Sequence, residues 1–192
     1  MAQDAKKALR QSTVELLYTT DLDHIAVTDV VKAAKVSRTT FYRYYASVYD
    51  VVEELEEELL SFMRDINRWA VIEPVTASSS RLTQSAMARI TAIYEHKDVL
   101  RAIMGPHGDP LFRQKATDVM ARYWMQRLGQ GSTPERQREI ELYTTFMAAG
   151  HYAVIEKWVA REDDDLSPEE MARFFNKVFY APFGSGQNLW GV

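Results

Sequence analysis

The sequence predicts an all-α protein: a short N-terminal group of three helices containing a helix-turn-helix, followed by a larger helical body. Three observations lead there. Apolar residues recur at three- and four-residue spacing through most of the chain, the period of a one-sided helix. No segment alternates apolar and polar residues long enough to make a strand. Turn-forming clusters, "TTDLDH" (19–24), "PVTASSS" (74–80), "GPHGDP" (105–110) and "REDDDLSP" (161–168), divide the pattern into about nine helical stretches.

The first stretch, 5–19, has Leu9, Ser12, Val14, Leu16 and Leu17 on a stripe and Lys6, Lys7 and Arg10 off it. A short one follows over 27–34, where Val27, Val30, Val31 and Ala34 share a face. Ser37 is a good N-cap for a helix from Arg38, running to about Tyr45. Two short helices so spaced fit a helix-turn-helix, whose second member can enter the DNA major groove. From Asp50 a long helix runs on Val51, Val52, Leu55, Leu59, Phe62, Ile66 and Trp69, with "EELEEE" (53–58) as its solvent side. Helices are then expected over 81–96, 98–104, 111–128 and 135–161. The last begins at Ser167-Pro168-Glu169-Glu170, an N-cap, a proline at the first helical position and a capping-box glutamate. It runs to about Tyr180, where Pro182 ends it. Residues 1–50, 51–182 and 183–192 are thus read as a DNA-binding domain, a helical body and a C-terminal tail.

Composition narrows the function. The chain has 192 residues, 46% of them hydrophobic, which is enough to bury a core. It has no cysteine, so disulfides and thiolate metal sites are excluded and a reducing cytoplasm is the expected setting. "MAQDAKKALRQS" lacks the apolar run of a signal peptide. No stretch approaches the roughly 18 apolar residues of a membrane span, so a soluble protein with no membrane contact is expected. Residues 1–47 hold seven Lys or Arg against five Asp or Glu, and the rest of the chain 16 against 22. A basic binding end on an acidic body is one reading of that asymmetry and chance is the other.

On a helix over 38–45, Phe41 and Tyr45 lie on one side, four residues apart, facing the bracing helices. Thr39, Tyr42 and Arg43 fall opposite, with Thr40 at the edge and Tyr44 between. That outer side offers hydroxyls, phenols and a guanidinium. Phosphates accept hydrogen bonds from Thr and Tyr, and Arg can hold both acceptors of guanine. Arg38 and Thr39, at the helix start, are assigned to bases, Thr40, Tyr42 and Tyr44 to the backbone, and Arg43 to either. An ordinary amphipathic helix with aromatic core residues is the competing reading.

Residues 5–52 resemble the DNA-binding domain of the tetracycline-repressor (TetR) family of transcriptional regulators. The resemblance lies in "VTDVVKAAKVSRTTFYRYYASVYDV". Val30, Val31, Ala34, Val36 and Ser37 match the family's first helix and turn, and Thr40, Tyr42 and Tyr45 its recognition helix. It implies a palindromic double-stranded DNA operator, with Ser37 joining the DNA-binding set; Lys35 joins it as a candidate phosphate contact at a position where the sequence departs from the family. Three positions depart. Lys35 stands where the family usually has Gly, Val48 where it has a Lys, and Ala26 where it has a Thr. They motivate an alternative: a dimer of this fold that binds a small molecule or protein partner, with weak or lost DNA binding.

Residues 53–182 resemble the family's ligand-binding and dimerisation region by layout. "FMAAGHYAVIEKWV" (146–159) and "SPEEMARFF" look like the pair of helices that meets its copy in a homodimer. This implies an interface on Phe146, Ala149, Gly150, Ala153, Trp158, Phe174, Phe175 and Val178. Gly150 fits such a face, because a mid-helix Gly costs roughly 1 kcal/mol against Ala unless another backbone comes close. A tight crossing within the chain is the other explanation. The family's small-molecule effector implies a pocket, for which Trp69, Tyr94, Met104, Phe112, Tyr123, Trp124, Phe146 and His151 are candidates; each is also a plausible plain core residue. Such a lining suits an apolar or aromatic ligand. His24, His96, His107 and His151 lack metal-ligand spacing, and no nucleophile motif or phosphate-cradling loop is present. No enzyme, metal or cofactor is expected. The overall reading is a DNA-binding regulator, a repressor released by its effector.

Overall fold

The computed structural model describes residues 2–69, 79–161, 166–175 and 177–178, with the side chains of 2–3, 66–69, 79–85 and 127 excepted. Among the described residues it is all-helical: α1 (Ala2–Leu16), α2 (Val27–Ala33), α3 (Arg38–Tyr42), α4 (Val48–Trp69), α5 (Ser79–Glu95), α6 (Lys97–Met104), α7 (Phe112–Leu128), α8 (Pro134–Val159) and α9 (Pro168–Phe175). One 3-10 turn, Leu22–His24, sits inside "TTDLDH". The expected tail, 183–192, and the end of the last helix near Tyr180 lie outside the described residues.

Local chemistry sets most boundaries. Asp29 accepts from the Ala26 N–H at 3.0 Å and so caps α2, although Ala26 has no side-chain oxygen to return the bond. Ser37 Oγ accepts from Thr40 N at 3.1 Å and opens α3 as expected. α4 starts two residues before the expected Asp50. Ser47 and Asp50 form a capping box there: the Asp50 carboxylate takes the Ala46 and Ser47 N–H groups at 2.7 and 3.2 Å. Hydrogen bonds from Ser47 and from those backbone groups hold the Asp50 pKa below the ordinary carboxylate value. The Ser167–Glu170 box is present, with Ser167 N–H to Glu170 Oε2 at 2.8 Å and Glu170 N–H to Ser167 Oγ at 3.3 Å. α3 ends at Tyr42 rather than Tyr45. Turn bonds from the Tyr44 and Tyr45 N–H groups to the Phe41 carbonyl, at 2.9 and 3.0 Å, close it.

α1, α2 and α3 pack around Leu9, Val14, Leu17, Val30 and Phe41, all buried, with Tyr45, Val48 and Val51 closing the group from α4 and the turn before it. α4 then runs on against α7, while α7 packs on α8 and α5 on α9. The expected solvent side of α4 is only partly that. Glu56 is buried against α7, and Glu54 and Glu58 hold α1 cations: Lys6 reaches Glu54 at 2.8 Å, and Arg10 pairs with both. The acidic run is a docking strip, which composition alone does not reveal.

Two further contacts tie the N-terminal helices to the body. Tyr18 Oη donates to the Asp98 carbonyl at 3.1 Å, with Arg101 over its ring. The Leu22 N–H donates to the His107 carbonyl at 3.0 Å, and the His107 ring meets Asp21 at 2.6 Å.

Candidate nucleic-acid interface and effector cavity

The turn between α2 and α3 needs a left-handed residue, and Lys35 supplies it with φ 55°. Val36 N–H reaches back to the Val31 carbonyl at 3.1 Å, as in a Schellman helix end. The non-Gly residue is accommodated, and its ammonium is exposed. Phe41 is fully buried and Tyr45 nearly so, its hydroxyl 3.3 Å from Glu54 Oε1; burial pushes that phenol's pKa up. Ser37, Arg38, Thr39, Tyr42 and Arg43 are exposed, and Thr40 and Tyr44 half-buried. Tyr42, at 58%, is among the most exposed large side chains described. Thr40 Oγ1 lies 2.9 Å from Ser37 Oγ. Its hydroxyl therefore shares in the cap as well as facing outward.

The cations divide into two sets. Lys6 and Arg10 are committed to α4 carboxylates. Lys32, Lys35, Arg38 and Arg43 are exposed, and among the described residues no carboxylate pairs with them. Lys32, in the last turn of α2, belongs with this set and was missing from the sequence-based list. That list was drawn from the second helix, its N-cap and the preceding turn, and Lys32 lies one helix earlier. Val48 is buried in the core, so no cation opens α4.

The body holds a cavity of about 80 Å³. Of the candidates named from the sequence, Met104, Trp124 and His151 line it, together with Phe62 and Met63 of α4, Arg89 and Ile90 of α5, Leu100, Met120, Tyr152, Ile155 and Phe175. The other candidates lie elsewhere. Phe112 is a fully buried core residue. Tyr94 packs at a tilt against Trp158 at 5.5 Å, and Tyr123 packs edge-on against Trp124 at 5.6 Å. Phe146 is 70% exposed. The Trp69 side chain lies outside the described residues. His151 Nδ1 donates to the Met147 carbonyl at 2.7 Å, and its ring lies 5.1 Å from Phe175. Burial pushes its pKa down to about 4, with Arg89 adding to the shift, so the imidazole is neutral at pH 7. The cavity is thus mostly apolar walls around an uncharged ring, with Arg89 as a charged lining residue.

The expected interface residues also separate. Phe146, Ala149 and Ala153 are exposed on α8, Phe174 in α9 and Val178 just beyond it, and Gly150 is half-buried. Leu142, at 74% exposed, extends the α8 stripe one turn earlier and was not anticipated. Trp158 and Phe175 face inward: Trp158 Nε1 donates to the Leu166 carbonyl at 2.9 Å, and Phe175 lines the cavity. Helical phase explains the pair, since α8 and α9 are buried on one side and apolar on both.

Residues 81–180, just over half of the chain, match a TetR-family model described as the transcriptional regulator C-terminal region. The chain belongs to the TetR family of transcriptional regulators. Its α2 and α3 form the helix-turn-helix. It is similar to an uncharacterized HTH-type transcriptional regulator of Bacillus subtilis (strain 168), 24% identical over 191 residues, 96% of this chain. The chain spans about half the length of that curated relative (48%). A putative TetR-family transcriptional regulator from Syntrophomonas wolfei str. Goettingen shares the fold with TM-score 0.66 at 12% identity, over 99% of this chain and 100% of that one. A TetR transcriptional regulator from Streptococcus agalactiae 2603V does so with TM-score 0.59 at 18% identity, over 92% and 93%. Among the described residues no helix is long and apolar enough to cross a membrane.

Proposed function

We propose that this TetR-family chain is a homodimeric repressor that holds a palindromic operator through residues 1–50 and is released by an apolar or aromatic small molecule bound within residues 51–182. The exposed, unpaired cations at 32, 35, 38 and 43, beside the hydroxyls of Thr39 and Tyr42, carry the DNA reading. Arg38 and Thr39 read bases. Thr40, Tyr42 and Tyr44, with the Lys35 and Ser37 turn, position the phosphates, and Arg43 serves either.

A second copy seats on the exposed Leu142, Phe146, Ala149 and Ala153 stripe and on Phe174 and Val178. Leu142 and Phe146, one turn apart on α8, are seldom left to water together. Two-fold pairing there sets the spacing of the recognition helices, which must be about 34–36 Å to meet successive major grooves.

The cavity supplies the release. At about 80 Å³ it is well below the roughly 300–1,000 Å³ of small-molecule pockets. A ligand must therefore push its walls apart. One wall is α6, whose Leu100 and Met104 face the cavity while Asp98 and Arg101 hold Tyr18 in the turn after α1. A ligand that favours the widened body shifts the helix spacing by its differential affinity for the two shapes.

The experiment is a fluorescence-anisotropy titration against duplexes from the DNA upstream of the chain's own reading frame, beside a thermal-shift screen of apolar and aromatic compounds. Binding to one fragment, weakened by a compound that raises Tm, is expected. The buried Val48, the left-handed Lys35 and Ala26 at the start of α2 favour the second reading, a dimer with weak DNA binding. A compound that raises Tm with no fragment bound selects that reading.

A further inference from the structure

The 3-10 turn, α4, the 105–110 loop, α7 and α8 enclose a groove of about 1100 Å³, separate from the apolar cavity except that Met104 and Tyr152 line both. Its charge is one-sided. Asp21, Asp23, Glu53, Glu56, Asp109 and Glu156 line it against only Arg113 and Lys115, besides two histidines. Arg113 is already committed, its guanidinium 2.6 Å from each Glu156 oxygen. The single Lys115 ammonium serves two carboxylates, Glu56 Oε2 at 2.7 Å and Asp109 at 3.0 Å.

Glu56 is the unusual member. Its side chain is 3% exposed, and Oε1 has no hydrogen-bond partner among the described residues. A buried carboxylate oxygen without a donor is costly, and one shared cation leaves this cluster short by one positive charge. Burial raises the Glu56 pKa, and Lys115 opposes that shift only in part. The Lys115 side chain, 42% exposed, lines the groove and reaches Glu56 from it. It can swing onto Asp109 alone without losing its charge partner.

We propose that this groove is a second small-molecule site, which takes an organic ammonium ion: its N–H groups meet Glu56 as Lys115 withdraws to Asp109, and its apolar body lies against Tyr49 and Leu111. Both of those side chains are more than half exposed at the groove. The class follows from the donors. Among the described residues no group of three or more metal-ligating side chains converges, so a metal ion lacks its shell, whereas an ammonium needs only carboxylates and an apolar wall. An occupant would press directly on the contact between the 3-10 turn and His107, where the N-terminal helices meet the body.

The test uses the DNA-free chain, so its outcome is independent of the operator reading. Isothermal titration calorimetry compares 2-phenylethylammonium with 2-phenylethanol, a neutral molecule of the same shape. The ammonium is expected to bind at least about tenfold more tightly than the alcohol. Glu56→Gln is expected to remove that preference, and Lys115→Gln, which deletes the internal competitor, to tighten ammonium binding several-fold. Equal affinity for the two probes, no ammonium binding up to about 10 mM, or an unchanged preference in Glu56→Gln overturns the proposal. If Glu56→Gln does not fold, the probe comparison on the unmodified chain and the direction of the Lys115→Gln effect decide.

Discussion

The cations assigned to DNA lie within one short stretch, 32–43, whereas the cavity draws its walls from Phe62 in α4 to Phe175 in α9. The two regions are also built differently. The N-terminal helices are short and depend on caps and on a few fully buried side chains, Phe41 and Val30 among them. The body consists of long helices around a space that is not filled. The N-terminal helices (the reader) join the body (the sensor) through the Lys6 and Arg10 pairs with Glu54 and Glu58, through Tyr18 on α6, through the 3-10 turn on His107, and through α4, which runs through both.

That contrast can be broken from either side. The largest effect is expected in the reader. Phe41→Ala empties a fully buried site and should cost about 3–5 kcal/mol. Thermal denaturation followed by circular dichroism should show the N-terminal helices melting ahead of the body. A single transition at the original Tm would show that Phe41 does not anchor them.

Next comes the outer face of the body. Leu142→Asp with Phe146→Asp places two charges on the apolar stripe and should convert a dimer to monomers, an effect of about 2–4 kcal/mol for a central hot spot. Both side chains are exposed, so the monomer fold should survive. Sedimentation velocity reads the outcome, and an unchanged mass in the double variant would remove this face from the interface.

The sensor's dryness is tested by pH. The folded His151 pKa is about 4 against an ordinary 6.5, so between those values the unfolded chain binds a proton that the folded chain refuses. Stability should fall as pH drops through that window, by an amount on the order of 3 kcal/mol. His151→Leu should flatten the slope of urea-unfolding free energy between pH 6.5 and 4 relative to the unmodified chain; carboxylates present in both cancel. Parallel slopes would mean a wet cavity. The smallest effect is at the turn. Lys35→Gly removes the Cβ from a left-handed residue and should stabilise by about 0.5–1 kcal/mol.

The reader was largely legible because its signals are local. A serine cap, a Phe and Tyr four residues apart and a turn before them predict α3, the burial of Phe41 and Tyr45, and the exposure of Arg38, Thr39, Tyr42 and Arg43. Even the departure at Lys35 marks the position that takes a positive φ. In the body only the helices and the Ser167 capping box were legible. Which aromatic faces the cavity depends on contacts between residues far apart in the chain. Phe112 and Phe146 looked alike in sequence, yet one is fully buried and the other mostly exposed. The buried Glu56 was hidden for the same reason, because the partner that makes its burial possible, Lys115, is 59 residues away.

The central claim is that the exposed cations at 32, 35, 38 and 43 hold DNA, with Lys35 on its phosphates. The most direct measurement is the salt dependence of operator affinity for the unmodified chain and for Lys35→Ala. The slope of log affinity against log salt should be steep, near −0.9 for each phosphate neutralised, and Lys35→Ala should make it shallower by about one unit per protomer, with Tm unchanged. An affinity that does not respond to salt, or a Lys35→Ala slope that matches the unmodified chain, would contradict the account.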